Sequence, residues 1–256
     1  MRTISIVSTK GGTGKTTTVH NLSAALRRLR HRDPGLPVHR WTYNSVLMID
    51  MDPQSNLSFV TDTFGERPTI YDVMSGHVSW SSAVQKAGPG LHIIPADHRL
   101  MRFESHRRDR TLLRTSLKDL NDFDFVFLDC PPSLGYLTQC ALIATGEFFL
   151  PLQAEYLSMR NVASLMDLVD DLRNETRRVR PAGIILSLYN TRRKISAEGS
   201  QIIREHFGNL VFETVIRNTV AITEAAAQHK DVLSYRSKSP GAADFLSLAK
   251  EVLRQT

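Results

Sequence analysis

The N-terminus constrains the fold most. Thr3-Ile4-Ser5-Ile6-Val7-Ser8 reads as a short buried strand that runs directly into the glycine-rich stretch Thr9-Lys10-Gly11-Gly12-Thr13-Gly14, and a helical pattern follows from Lys15 to about Leu29. A strand handed to a helix through a tight glycine loop is the opening of a strand–helix–strand unit, and such units build parallel sheets covered on both faces. The alternation continues along the chain. Apolar runs at 46–49, 91–95 and 125–128 read as further strands, the first ending on Asp50 and the last on Asp129. Residues 147–152, 183–188 and 210–216 supply three more, with helical spacing at 112–120, 136–144, 162–173, 201–207, 222–229 and 242–253. The expected fold class is α/β, a mostly parallel twisted sheet with helices on both faces. In such sheets ligands bind beyond the carboxyl ends of the strands. Asp50, Asp129 and the glycine loop all fall there, so they are predicted to converge on one site.

At 256 residues and 41% apolar content the chain can bury a sizeable core, and the unbroken alternation favours one domain over 1–256. No apolar run is long enough to span a bilayer, and the strand that begins at Thr3 leaves no room for a signal peptide. Two cysteines, Cys130 and Cys140, cannot make a disulfide framework or a four-ligand metal site, so a reducing cytoplasmic location is the default. The net charge of +6 suits either a polyanionic partner or a solvated basic surface. Residues 31–44, with Pro34, Gly35 and Pro37, read as an irregular surface loop, and 99–114 as a basic helical face.

Chemistry concentrates in the glycine loop. Successive backbone N–H groups in such a turn, together with a helix N-terminus, form an anion site. Gly11, Gly12 and Gly14 allow close approach of phosphate oxygens, Lys15 reaches the β- and γ-phosphates, and the Thr16 hydroxyl can ligate magnesium. The usual phosphate loop begins with a glycine where this chain has Thr9, and an extra lysine, Lys10, follows. Thr13 and Thr17 complete the candidate ATP-binding stretch.

That run resembles the variant phosphate loop of the ParA/MinD family of ATPases. Met48-Ile49-Asp50-Met51-Asp52-Pro53-Gln54-Ser55-Asn56 is similar to the family's first switch, and Leu128-Asp129-Cys130-Pro131-Pro132-Ser133 to its Walker B strand and second switch. Pro151-Leu152-Gln153-Ala154-Glu155-Tyr156 and Ser239-Pro240-Gly241-Ala242 resemble segments of the ParA/Soj branch. The resemblance covers nearly the whole chain and implies a P-loop NTPase fold with ATP and Mg2+ as cofactors. It implies that Lys10 reaches across a homodimer interface to the partner's nucleotide, and gives catalytic roles to Lys10, Lys15 and Asp52, the last positioning the attacking water. Thr16 and Asp129, with a share for Asp50, are the implied magnesium residues, and Asn190, Arg217 and Asn218 the implied adenine contacts. The implied function is an ATP-dependent dimeric switch that binds nonspecific nucleoid DNA and positions a cargo, with slow hydrolysis stimulated by a ParB-like or cargo-adaptor protein. The alternative is a MinD-like regulator at a membrane. The apolar spacing of Phe245, Leu248, Ala249 and Val252 looks like a helix packed on the sheet, which favours no membrane. Candidate DNA-contacting clusters are Arg177, Arg178 and Arg180; Arg192, Arg193 and Lys194; and Lys230, Arg236 and Lys238.

Overall fold

The computed structural model describes residues 1–29, 43–105, 109–117, 120, 122–154, 158–176 and 178–255. Most of the irregular stretch at 31–44, together with Arg177, Glu155 and Tyr156, lies outside them. Eight strands form one sheet: β1 (Arg2–Ile6), β2 (Val46–Asp50), β3 (Gln85–Gly88), β4 (Leu91–Ile94), β5 (Phe125–Asp129), β6 (Glu147–Gln153), β7 (Arg180–Tyr189) and β8 (Val211–Arg217). Their order is β3-β4-β2-β5-β1-β6-β7-β8, and every neighbouring pair is parallel except β3 with β4. This is the expected α/β architecture, with the glycine-loop strand β1 in its interior.

Side-chain alternation divides each central strand between two cores. Leu47, Ile49, Val126 and Leu128 face one side, under the helices Tyr136–Thr145 and Ser158–Glu175. Val46, Met48, Phe125 and Phe127 face the other, under α1 (Lys15–Arg28) and the helix Pro240–Arg254. In that last helix Ala242, Phe245, Leu248, Ala249 and Val252 are fully buried. Gly241 is required for its close approach, since a Cβ there would come within 2.9 Å of Ile222 and the Thr219 hydroxyl.

Two departures from the sequence expectation have physical causes. Strand β3 was not expected; it is a short antiparallel edge strand of half-buried and exposed residues, Gln85-Lys86-Ala87-Gly88, with no apolar run to mark it. The helix expected at 201–207 spans Lys194–Phe207, because its first turns face inward through Ser196, Gly199 and Ser200. Small polar residues carry no apolar periodicity.

Register then fixes the site. Asp50 stands opposite Asp129, and Asp129 opposite Ile6, so the loops leaving β1, β2 and β5 emerge side by side.

Candidate functional site: a phosphate loop between two carboxylate strands

Gly12 and Gly14 adopt left-handed backbone, φ 72° and 88°, which an L side chain would strain. A Cβ at Gly11 or Gly12 would meet nothing within 4 Å, so open space lies over the loop. Gly14 is the N-cap of α1 and supplies no side-chain acceptor, which leaves the helix's first N–H groups to an outside anion. From below, the Ser187 hydroxyl of β7 fixes the loop by donating to the Thr13 carbonyl at 2.7 Å.

Lys15 is 7% exposed. Its ammonium lies within 3.4 Å of the carbonyls of Ser8 and Lys10. Burial pushes its pKa down, and the charge of Asp129 pulls against that. Thr16 donates to Asp129 Oδ2 at 2.6 Å, while Asp129 Oδ1 is buried with no protein partner. Burial, then the neighbouring Asp50, raises the pKa of Asp129. Lys10 reaches a different place: its ammonium donates to Gln153 Oε1 at 2.9 Å, at the end of β6.

Asp50 is fully buried and commits both oxygens to the chain that follows it. Oδ1 accepts from the Asp52 N–H at 3.1 Å; Oδ2 accepts from the Ser58 N–H at 2.8 Å and the Ser58 hydroxyl at 2.7 Å. The carboxylate thereby anchors the loop from Met51 into the helix Asn56–Val60. Asp52, 6% exposed, accepts from the Gln54 N–H at 2.9 Å.

A pocket of about 210 Å³ opens beside the start of α1, lined by Gly14, Thr17, Leu188, Asn218, Thr219 and Ile222 among others. Thr17 and Asn218 are both on its wall. Arg217 joins the wall, but its guanidinium is turned away onto Asp244, with Nη2 to Oδ1 at 2.6 Å and Nε to Oδ2 at 2.9 Å. Asn190 is not on that wall; its side-chain oxygen accepts from the Arg192 N–H at 3.0 Å and shapes a turn. Sequence reasoning missed Ser58, Ser187 and the wall residues Leu188, Thr219 and Ile222. A serine inside the apolar run Ile184-Ile185-Leu186-Ser187 was the one legible signal.

Orphaned Asp129 Oδ1, the Thr16 hydroxyl, the Lys15 ammonium and the open glycine cradle together fit a magnesium-bound triphosphate. Among the described residues no group of His, Cys, Asp or Glu side chains could hold a metal by itself, so such a cation would take its remaining ligands from phosphate and water.

Residues 1–179 match the family model described as AAA domain. The chain is 34% identical over 264 residues to the chromosome partitioning protein ParA of Caulobacter vibrioides, covering 99% of this chain and 94% of that protein. This chain belongs to the ParA/MinD family. Solved ParA/MinD-type folds agree. The cell division ATPase MinD of Pyrococcus furiosus aligns with a TM-score of 0.78 at 27% identity, covering 100% of this chain and 99% of that one. Cobyrinic acid a,c-diamide synthase of Mycobacterium smegmatis, solved with a bound ATP analogue and magnesium, aligns at 0.80 and 28% identity, covering 99% and 95%. The P-loop NTPase reading of the fold therefore holds, and the family is one of ATPases.

Proposed function

We propose that this chain is an ATP-driven dimeric switch whose ATP-bound form binds DNA without sequence preference and positions a cargo. Lys15 neutralises charge on the bound β- and γ-phosphates, and the loop's N–H groups cradle them. Thr16 and Asp129 would hold the magnesium, Asp129 with its orphaned Oδ1, and the ion would supply positive charge to the phosphates when bound. Asp50 holds the first switch loop, and with it the place of Asp52, which orients the attacking water. The pocket beside Thr17 and Asn218 takes the adenine, with Arg217 contributing backbone.

The observation that carries the dimer is the divergence of the two lysines. Lys15 lies across its own loop, whereas the exposed Lys10 reaches Gln153 at the end of β6, a divergence that supports a role for Lys10 outside its own phosphate loop. For DNA, the exposed Arg192, Arg193 and Lys194 follow β7 at the nucleotide end of the sheet. Arg180 lies at the opposite end and pairs with Glu147, and Arg236 pairs with Glu224 at 3.6 Å, so these offer less charge. The apolar side of the last helix is packed on the sheet, which favours the DNA-binding reading over one that inserts this helix into a membrane, and no described helix is long and apolar enough to cross a membrane. Hydrolysis is slow and is stimulated by a ParB-like or cargo-adaptor protein.

An electrophoretic shift on nonspecific DNA with ATP, ADP and a non-hydrolysable analogue tests this. ATP and the analogue should shift the DNA and ADP should not. Binding should fall by about a hundredfold or more between 50 and 200 mM salt, because phosphate contacts release counterions. Equal shifts in all three nucleotides, or indifference to salt, would refute the switch.

A further inference from the structure

The helix that follows the second switch loop begins without a cap of its own. Its N-cap is Gly135, which has no side chain, and its first turn, from Tyr136, holds no acidic residue. The missing acceptor comes from elsewhere in the chain. Glu104, at the end of the short helix Met101–Glu104, accepts from the Tyr136 N–H at 2.8 Å through Oε2 and from the Leu137 N–H at 3.4 Å through Oε1. A carboxylate on the N-terminal N–H groups satisfies orphan donors and complements the helix dipole. A Cβ at position 135 would lie 2.3 Å from Glu104 Oε2 and push the carboxylate off the helix start.

The same surface segment grips the helix at further points. The Tyr136 hydroxyl donates to the Asp109 carbonyl at 3.0 Å, and Arg110 donates to Gln139 Oε1 at 2.8 Å. The helix in turn holds the switch loop, with Thr138 donating to the Ser133 carbonyl at 2.6 Å and Gln139 to the Leu134 carbonyl at 2.9 Å. A continuous chain of bonds thus runs from Glu104 through the helix start to the loop that leaves Asp129.

We infer that Glu104 is a positioning residue for turnover, setting the second switch loop from outside the nucleotide site by capping the helix behind it. The inference rests on the ATPase reading above. It implies that a partner displacing the helix Met101–Glu104 alters hydrolysis without touching the nucleotide.

A double-mutant cycle on the full chain tests it. Glu104→Ala should lower kcat about tenfold and the melting temperature by about 2–4 °C while leaving KM for ATP near parental, since a lost cap of ordinary strength has that size. Glu104→Gln keeps an acceptor for the Tyr136 N–H and should restore most of kcat. Gly135→Ala should match Glu104→Ala, and adding it to Glu104→Ala should cost nothing more, because the carboxylate it would strike is gone. Hydrogen exchange at the Tyr136 and Leu137 amides should speed up in Glu104→Ala but not in Glu104→Gln; this readout needs no turnover, so it decides the inference even if the parent chain hydrolyses no ATP, a result that would sink the proposed function instead. Parental kcat and parental exchange in Glu104→Ala, additive losses in the cycle, or a loss of kcat matched by loss of ATP affinity would each overturn it.

Discussion

The two loops flanking the phosphate site are held in opposite ways. The loop after β2 is fixed from within: Asp50 bonds Asp52 and Ser58, the Ser58 hydroxyl accepts from the Ala96 N–H at 2.9 Å, and the Met51 N–H donates to the Asp129 carbonyl at 2.9 Å. Those groups are buried, where a satisfied polar network is rigid and a broken one is costly. The loop after β5 leaves the sheet through Pro131 and Pro132, which have no N–H to give, and exposes Pro132 and Ser133. It is fixed from outside, by the helix behind it and a surface glutamate. The first loop is therefore anchored in the core by Asp50 and Ser58, although it exposes Gln54 and Asn56, whereas the second is held from the surface.

Loss of Lys15 breaks the comparison altogether, since in the proposed switch both loops answer to the same triphosphate. Lys15→Ala should weaken ATP binding by about a hundredfold or more in calorimetry, the scale of a charge-assisted contact removed from a buried site. Near-parental affinity would overturn the phosphate-loop assignment. Folding stability should hold, because the substitution also removes a buried ammonium.

Ser58→Ala sharpens the contrast. It deletes the hydroxyl donor to Asp50 and orphans the Ala96 N–H, and should cost about 1–3 kcal/mol in urea unfolding. Turnover and stability should fall together here, whereas Glu104→Gln should spare both. A Ser58→Ala chain of parental stability would mean that the first loop is not held from within.

What the sequence revealed, and what it hid, follows the same division. Asp50 and Asp129 were legible because each ends an uninterrupted apolar run, and register alone brings them together. The glycine loop was legible because its backbone demands residue types that little else requires. Partners far along the chain were not. Glu104 lies 32 positions from Tyr136, and Ser187 lies 174 from Thr13, so no local pattern announces either bond. Arg217 lines the pocket, but where its guanidinium goes was hidden for the same reason. Its neighbour Asn218 lines the pocket as its position suggests, but an aspartate 27 residues further on claims the guanidinium. Local chemistry says what a residue can bind, and the long-range fold says what it does bind.

The smallest effect is the most diagnostic of the carboxylate pair. In the nucleotide-free protein Asp50 is pushed up to about 7, chiefly by burial, and Asp129 is raised by burial and by Asp50. Carboxyl groups raised above their unfolded values bind more protons in the folded state, so their contribution to stability falls as pH climbs from the unfolded pKa through the folded one. His20, pushed down to about 4 by burial, acts in the opposite sense below its ordinary value, and does so equally in parent and variant. Asp72 and Asp97, held low despite their burial by hydrogen bonds from Arg99, have finished titrating below this range. Asp129→Asn removes one of the two like charges and leaves His20 in place. Between pH 5 and 7, urea unfolding in EDTA should therefore show the parent losing stability relative to the variant by up to about 1.4 kcal/mol per pH unit, the slope of one carboxyl protonated when folded and ionised when unfolded. Parallel profiles would mean that the two carboxylates do not repel, and that a divalent cation has no stored repulsion to relieve when it arrives with the nucleotide.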